Sequence, residues 1–110
     1  METQFKSVAD DEALEQLFAR SQEEPVVIFK HSNACPISAM AYSRMKPLGD
    51  AVSLIVVQQS RELSRTVEAR TGVQHESPQV VVLRRGQPVW SASHFDITAE
   101  AVTQAVKENE

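Results

Sequence analysis

Three short apolar runs, each rich in β-branched residues and each preceded by a segment of helical period, constrain this chain more than any other feature. They lie in Pro25–Lys30, Val52–Gln58 and Gln79–Arg84. The nearly unbroken hydrophobicity of the first two suits buried strands covered on both faces, and the third also reads as a strand. A helix is expected over Asp10–Ser21, where Asp10 or Asp11 caps and Leu14, Leu17 and Phe18 share a face. A second is expected from Cys35-Pro36 to about Leu48, with Ile37, Ala41, Met45 and Leu48 at helical spacing and Gly49 just past its end. A third runs over Glu62–Thr71 and stops at Gly72. The last runs over Thr98–Lys107, with Thr98 as cap and Ile97 packing on Val102.

A fourth strand, Val89–Ser93, follows Gln79–Arg84 after only Arg85-Gly86-Gln87-Pro88, the signal of a tight antiparallel hairpin. Pro88 donates nothing to a ladder and therefore favours the start of an edge strand. The element order is α–β–α–β–α–β–β–α, with a parallel crossover from Val26 to Val57. The expected fold class is α/β: a mixed sheet of four strands, or five if Met1–Lys6 adds an edge, with helices on both faces. The 110 residues are read as one domain, residues 1–110, large enough to bury a core without disulfide or metal staples.

The 15 acidic and 11 basic residues give a formal net charge of −4, which argues against nucleic acid as a partner, since that needs a basic surface. No apolar run is long enough to cross a bilayer, and the first residues lack the basic start and apolar stretch of an export signal. No membrane partner is expected. The single cysteine excludes a disulfide within this chain, and the reducing cytosol is the expected compartment. One cysteine and three scattered histidines show no zinc-like spacing, so no metal site is expected. No phosphate-binding glycine loop, dinucleotide fingerprint or serine-hydrolase elbow is present.

Cys35 is the residue with chemistry to offer. It follows the polar loop His31-Ser32-Asn33-Ala34 and opens a helix, with Pro36 in the first turn where its missing N–H is not needed. As the cap, its sulfur meets the N–H groups of Ile37 and Ser38, and the Ser38 hydroxyl adds a further donor. Those donors and the helix dipole favour thiolate, the nucleophile of disulfide exchange. The bland alternative is a small buried hydrophobe. A cysteine opening a helix after a polar loop fits the reactive role better.

The stretch Phe29-Lys30-His31-Ser32-Asn33-Ala34-Cys35-Pro36-Ile37-Ser38-Ala39 resembles the active-site segment of the YtxJ-like proteins, the monothiol bacilliredoxins of the thioredoxin superfamily. His75-Glu76-Ser77-Pro78-Gln79-Val80 and the run from Trp90 to Ala99 match the same family, so the resemblance spans nearly the whole chain. It implies a thioredoxin-like fold and a cytoplasmic oxidoreductase of redox homeostasis. That protein would remove bacillithiol from mixed disulfides on client proteins, with Cys35 as nucleophile. It further implies that Ser77-Pro78 is a cis bond beside the cysteine, with Ser77 offering its backbone to an extended substrate. Bacillithiol is then a co-substrate and no cofactor is tightly bound. Independently of the family, Ser38 stands where a dithiol motif carries its second cysteine. Release of any mixed disulfide on Cys35 therefore needs an external thiol, either a low-molecular-weight thiol or another redoxin.

Other residues carry weaker signals. Lys30 and His31, just before the loop, would lower the Cys35 pKa if charged, and His31 joins Pro36, Ile37 and Ser38 as an expected thiolate-stabilising residue. The alternative for both is a solvent-facing loop. His75, Glu76 and His94 are candidates to line a cleft for a polar thiol, with His94 beside Ser77 and Pro78 as expected substrate contacts. Trp90 is expected to pack on the sheet. Arg84 and Arg85 would either meet a carboxylated cofactor or be solvated at a hairpin tip. Two other functions remain open on the residues alone: an iron–sulfur carrier using one cysteine per subunit, and a non-catalytic peptide-binding module on the same fold.

Overall fold

The computed structural model describes residues 5–110. A five-stranded mixed sheet runs in the order β1-β3-β2-β4-β5. Its strands are β1 (Lys6–Ser7), β2 (Val26–His31), β3 (Val52–Val56), β4 (Gln79–Arg84) and β5 (Gln87–Ser93). Four helices, α1 (Asp11–Arg20), α2 (Pro36–Met45), α3 (Arg61–Thr71) and α4 (Ala99–Glu108), cover it. β1, β3 and β2 are mutually parallel, while β4 pairs antiparallel with β2 and β5 antiparallel with β4. The edge strand expected near the start exists as β1. The part of that expectation covering Met1–Gln4 lies outside the described residues.

The pleat of β2 divides the core in two. Val26 and Ile28 join Leu14, Leu17 and Phe18 of α1 and Leu63 and Val67 of α3 on one face. Val27 and Phe29 join Ala41 and Met45 of α2 and Val102 and Ala105 of α4 on the other. All six β2 residues are buried, and the first four, Val26–Phe29, form the unbroken apolar run that a strand covered on both faces needs. Arg70 ties α3 to α1, with its guanidinium carbon 3.7 Å from the Phe18 ring centroid and its Nη1 2.6 Å from Glu15 Oε2.

The caps follow from local chemistry. Asp10 Oδ1 accepts the Ala13 N–H at 2.8 Å, and Thr98 Oγ1 accepts the Ala101 N–H at 3.1 Å. Gly72 ends α3 in the left-handed region at φ 77°. One boundary differs from expectation. α2 ends at Met45, and Lys46–Ala51 forms a 3₁₀ segment with Gly49 inside it at φ 54°, ψ −135°. Pro47 explains this: it has no N–H to continue the α-helical ladder. The hairpin is also tighter than expected. Only Arg85 and Gly86 lie between β4 and β5, both at positive φ, as a two-residue hairpin loop requires. Pro88 sits at the start of edge strand β5, and the register slips between its pairing with Leu83 and the Trp90–Val82 pair.

Candidate functional site

The site gathers at the end of the sheet where β2 finishes and β4 begins. Lys30 pairs with Gln79 across the ladder, so the loop leaving β2 and the Ser77-Pro78 segment entering β4 meet at one end. The Ser77–Pro78 bond is cis. The Ser77 Oγ is buried with no hydrogen-bond partner among the described residues.

Cys35 is the N-cap of α2, with extended φ/ψ of −114° and 123° and Pro36 in the first turn. Its sulfur accepts no formal capping hydrogen bond, yet the nearby donors hold its pKa below the ordinary thiol value of 9.0. The Ser38 backbone N–H is the main cause, followed by the Ile37 N–H and the Ser38 hydroxyl, against an opposing desolvation penalty. Cys35 is half-buried.

The loop before it is tied down on both sides. Ser38 Oγ accepts the Ser32 N–H at 3.2 Å, and Ser32 Oγ accepts the Ala34 N–H at 3.3 Å. Gln58, beyond β3, donates to Ser32 Oγ at 2.7 Å and accepts the Asn33 N–H at 3.1 Å. Nothing in the local pattern singled out Gln58, which lies 25 residues from Asn33 in the chain.

His31 takes a different place from the one expected. It is the last residue of β2 rather than the first of the loop, and it is buried against Tyr42 of α2, ring centroids 4.8 Å apart. Burial pushes its pKa down, opposed by the Ser38 backbone and the Asn33 side chain. A buried, neutral-leaning imidazole carries no positive charge to a neighbouring thiolate, so its part in the site is packing beneath α2. Tyr42, which sequence reasoning missed, also approaches Phe29, at 6.4 Å.

Lys30 ends the run expected as a strand and lies within β2, not in a solvent-facing loop. It is completely buried and points to the opposite face of the sheet, where its Nζ lies 3.4 Å from the Ser64 carbonyl oxygen and 3.2 Å from His75 Nδ1. Desolvation brings its pKa down to about 8, with Glu68 opposing. His75 is thus absorbed by Lys30 and by Glu68, whose Oε2 accepts the His75 N–H at 2.7 Å. Glu76 instead reaches His94, Oε1 to Nδ1 at 3.3 Å. His94 stands at positive φ and donates its N–H to the Pro78 carbonyl at 3.1 Å. Glu76, Ser93, His94, Phe95 and Asp96 line an open pocket of about 470 Å³ beside this turn. Trp90 packs on the sheet as expected. Arg84 is half-buried and committed to partners within the chain. It donates to the carbonyls of Asn109, Ser21 and Gln22 at 3.1, 3.2 and 2.8 Å.

A lone thiol biased toward thiolate, at the head of the helix that follows the central strand, makes this a thioredoxin-fold thiol oxidoreductase that works with one sulfur. Solved structures agree on the class. A thioredoxin-fold protein described as an oxidoreductase superposes with a TM-score of 0.81 at 33% identity, over 93% of each chain. Two thioredoxins share the fold at lower identity. That of Malassezia sympodialis has a TM-score of 0.73 at 14%, covering 98% of this chain and 92% of its own. That of Fasciola hepatica has a TM-score of 0.73 at 13%, covering 96% and 100%. The sequence profile of monothiol bacilliredoxin BrxC matches residues 6–102, and the chain belongs to that family. Among the described residues, no helix is long and apolar enough to cross a membrane.

Proposed function

We propose that this protein removes bacillithiol from mixed disulfides on client proteins in a reducing cytosolic compartment. The observation that carries the reading is the setting of Cys35: a donor-rich helix N-terminus with the buried hydroxyl of Ser38, not a second thiol, one turn along. The Cys35 thiolate attacks the bacillithiol sulfur of the client disulfide. The client–bacillithiol S–S bond breaks, the client cysteine leaves as thiolate and takes a proton from solvent, and a Cys35–bacillithiol disulfide forms. An external thiolate, from a second bacillithiol or another redoxin, then attacks the bacillithiol sulfur of that adduct. Cys35 leaves as thiolate, and the two electrons come from the external thiol. Membership of the bacilliredoxin family supports bacillithiol as the small thiol, and the backbone of Ser77 is the proposed landing edge for the client.

The test is intact-mass spectrometry of reduced protein mixed with a bacillithiolated client, beside the Cys35→Ser variant and parallel samples with glutathione and coenzyme A disulfides. Transfer of the bacillithiol mass from client to Cys35, faster than adduct formation with the other two disulfides and absent in the variant, is the expected result. Equal rates with all three would remove bacillithiol specificity. Transfer retained by Cys35→Ser would remove the mechanism.

A further inference from the structure

A fully buried lysine is an expensive residue to keep in a sheet. Methionine would fill the same volume with no charge to desolvate. In this fold the ammonium of Lys30 spends its contacts on one short segment. Its Nζ meets His75 Nδ1 at 3.2 Å and the Ser64 carbonyl at 3.4 Å. The His75 N–H is held by Glu68 at 2.7 Å. Gln79, the cross-strand partner of Lys30, donates to the Gln74 carbonyl at 2.8 Å. The segment between α3 and β4 is therefore gripped at Gln74 and His75 by β2, α3 and β4 together. It then runs straight into Ser77 and Pro78.

The protonation states are consistent with this grip. A protonated Nζ has only donors, so Nδ1 must accept and His75 carries its proton on Nε2. His75 is pushed toward neutral first by burial and then by the Lys30 charge, with Glu68 and Glu76 opposing. Glu68 faces Lys30 from α3, and Glu76 is engaged by His94 on the far side of the segment. His31, the next residue of β2, projects to the other face against Tyr42. Lys30 thus lies on the side of the sheet away from α2, and the influences on the Cys35 thiol come from α2 itself.

We infer that buried Lys30 and half-buried His75 form a clamp that fixes the Gln74–Pro78 segment where Ser77 receives an extended client chain, making Lys30 a positioning residue for capture of protein disulfides rather than for attack by the thiolate. The inference rests on the reading of this protein as a reductase of protein mixed disulfides.

Three variants test it: Lys30→Met, His75→Leu, and His75→Asn, whose amide oxygen stands near the place of Nδ1. Two readouts are taken on each: backbone amide exchange over residues 74–77, and kcat and KM with a bacillithiolated protein beside bacillithiol disulfide alone. Lys30→Met and His75→Leu should speed amide exchange in that segment. They should also raise KM for the protein about tenfold, with a smaller change in kcat and a smaller loss on the free disulfide. His75→Asn should recover most of both. Unaltered amide exchange in Lys30→Met overturns the clamp whatever the activity, and equal losses on protein and small disulfide overturn its role in client capture. A wild-type protein inert toward every bacillithiolated client would refute the proposed function instead, and amide exchange would still decide the clamp.

Discussion

Ser38 faces Cys35 with both its backbone N–H and its hydroxyl, and that same hydroxyl accepts the Ser32 N–H at 3.2 Å. One residue therefore tunes the sulfur and anchors the loop that delivers it. The arrangement needs a helix N-terminus, where the first N–H groups have no partner within the helix and stay available to an anion.

The thiol should titrate below 9.0 when followed by ultraviolet thiolate absorbance. Ser38→Ala should raise that value only in part, because the backbone N–H, the larger influence, survives the substitution. The stability consequence has a definite sign. A group that loses its proton more easily in the folded state contributes stability fully above its unfolded pKa, and that contribution fades as pH falls through the folded value. Denaturant midpoints of wild type and Cys35→Ser should therefore diverge toward alkaline pH. A wild-type thiol titrating at or above 9.0 would defeat the thiolate argument.

Replacing the buried Ser38 by cysteine should convert the mechanism. Positions three apart on a helix are neighbours at about 5–6 Å between β-carbons, close enough for a bridge after small adjustment. Ser38→Cys treated with bacillithiol disulfide should lose two protons' mass and carry no lasting adduct, whereas wild type should retain the adduct until a thiol is added. A stable adduct on the double-thiol variant would show that position 38 does not resolve.

The buried ammonium makes alkaline pH stabilising. Lys30 has its pKa lowered from 10.5 to about 8, so between those values the unfolded chain binds more protons than the folded one. Stability attributable to this group must then rise as pH increases through that window, and sit at its lowest below about 8. The difference in unfolding free energy, wild type minus Lys30→Met, should climb over that range in urea titrations. A flat difference would mean the ammonium is not desolvated in the folded protein.

Arg84 predicts a loss of stability without loss of chemistry. Its guanidinium closes three carbonyls from the end of α1 and the end of α4. Arg84→Met takes the side-chain donor from the Gln22 and Asn109 carbonyls, while the Ser21 carbonyl keeps the Arg85 N–H, and should cost about 1–3 kcal/mol, since hydrogen bonds to charged groups carry that order of energy. Calorimetry should show the drop, while alkylation of Cys35 proceeds at the wild-type rate. A slowed alkylation would tie Arg84 to the site after all.

Much of the architecture was legible because its causes are local. Asp10 and Thr98 cap with their own side chains, Gly72 adopts the left-handed conformation, and the covered strands read as apolar runs. The end of α2 misled because Leu48 keeps the helical spacing, while the backbone defect at Pro47 outweighs that pattern. His31 misled for another reason. A polar residue beside a polar loop reads as part of it, whereas β2 extends one residue past Lys30 and buries both. Arg84 looked like a hairpin-tip cation because its partners, Ser21, Gln22 and Asn109, are remote in the chain.

The sequence by itself determined that there is one thiol, that it heads a helix after a strand, and that Ser38 stands where a resolving thiol would be. Those statements depend on residue identity and on spacing within a single turn. Only the tertiary structure decided that consecutive residues serve opposite faces, Lys30 gripping His75 beneath α3 and His31 packing on Tyr42 beneath α2. Strand parity sends neighbouring side chains to opposite sides. What waits on each side is set by helices that reach the strand through the long-range packing of the whole sheet.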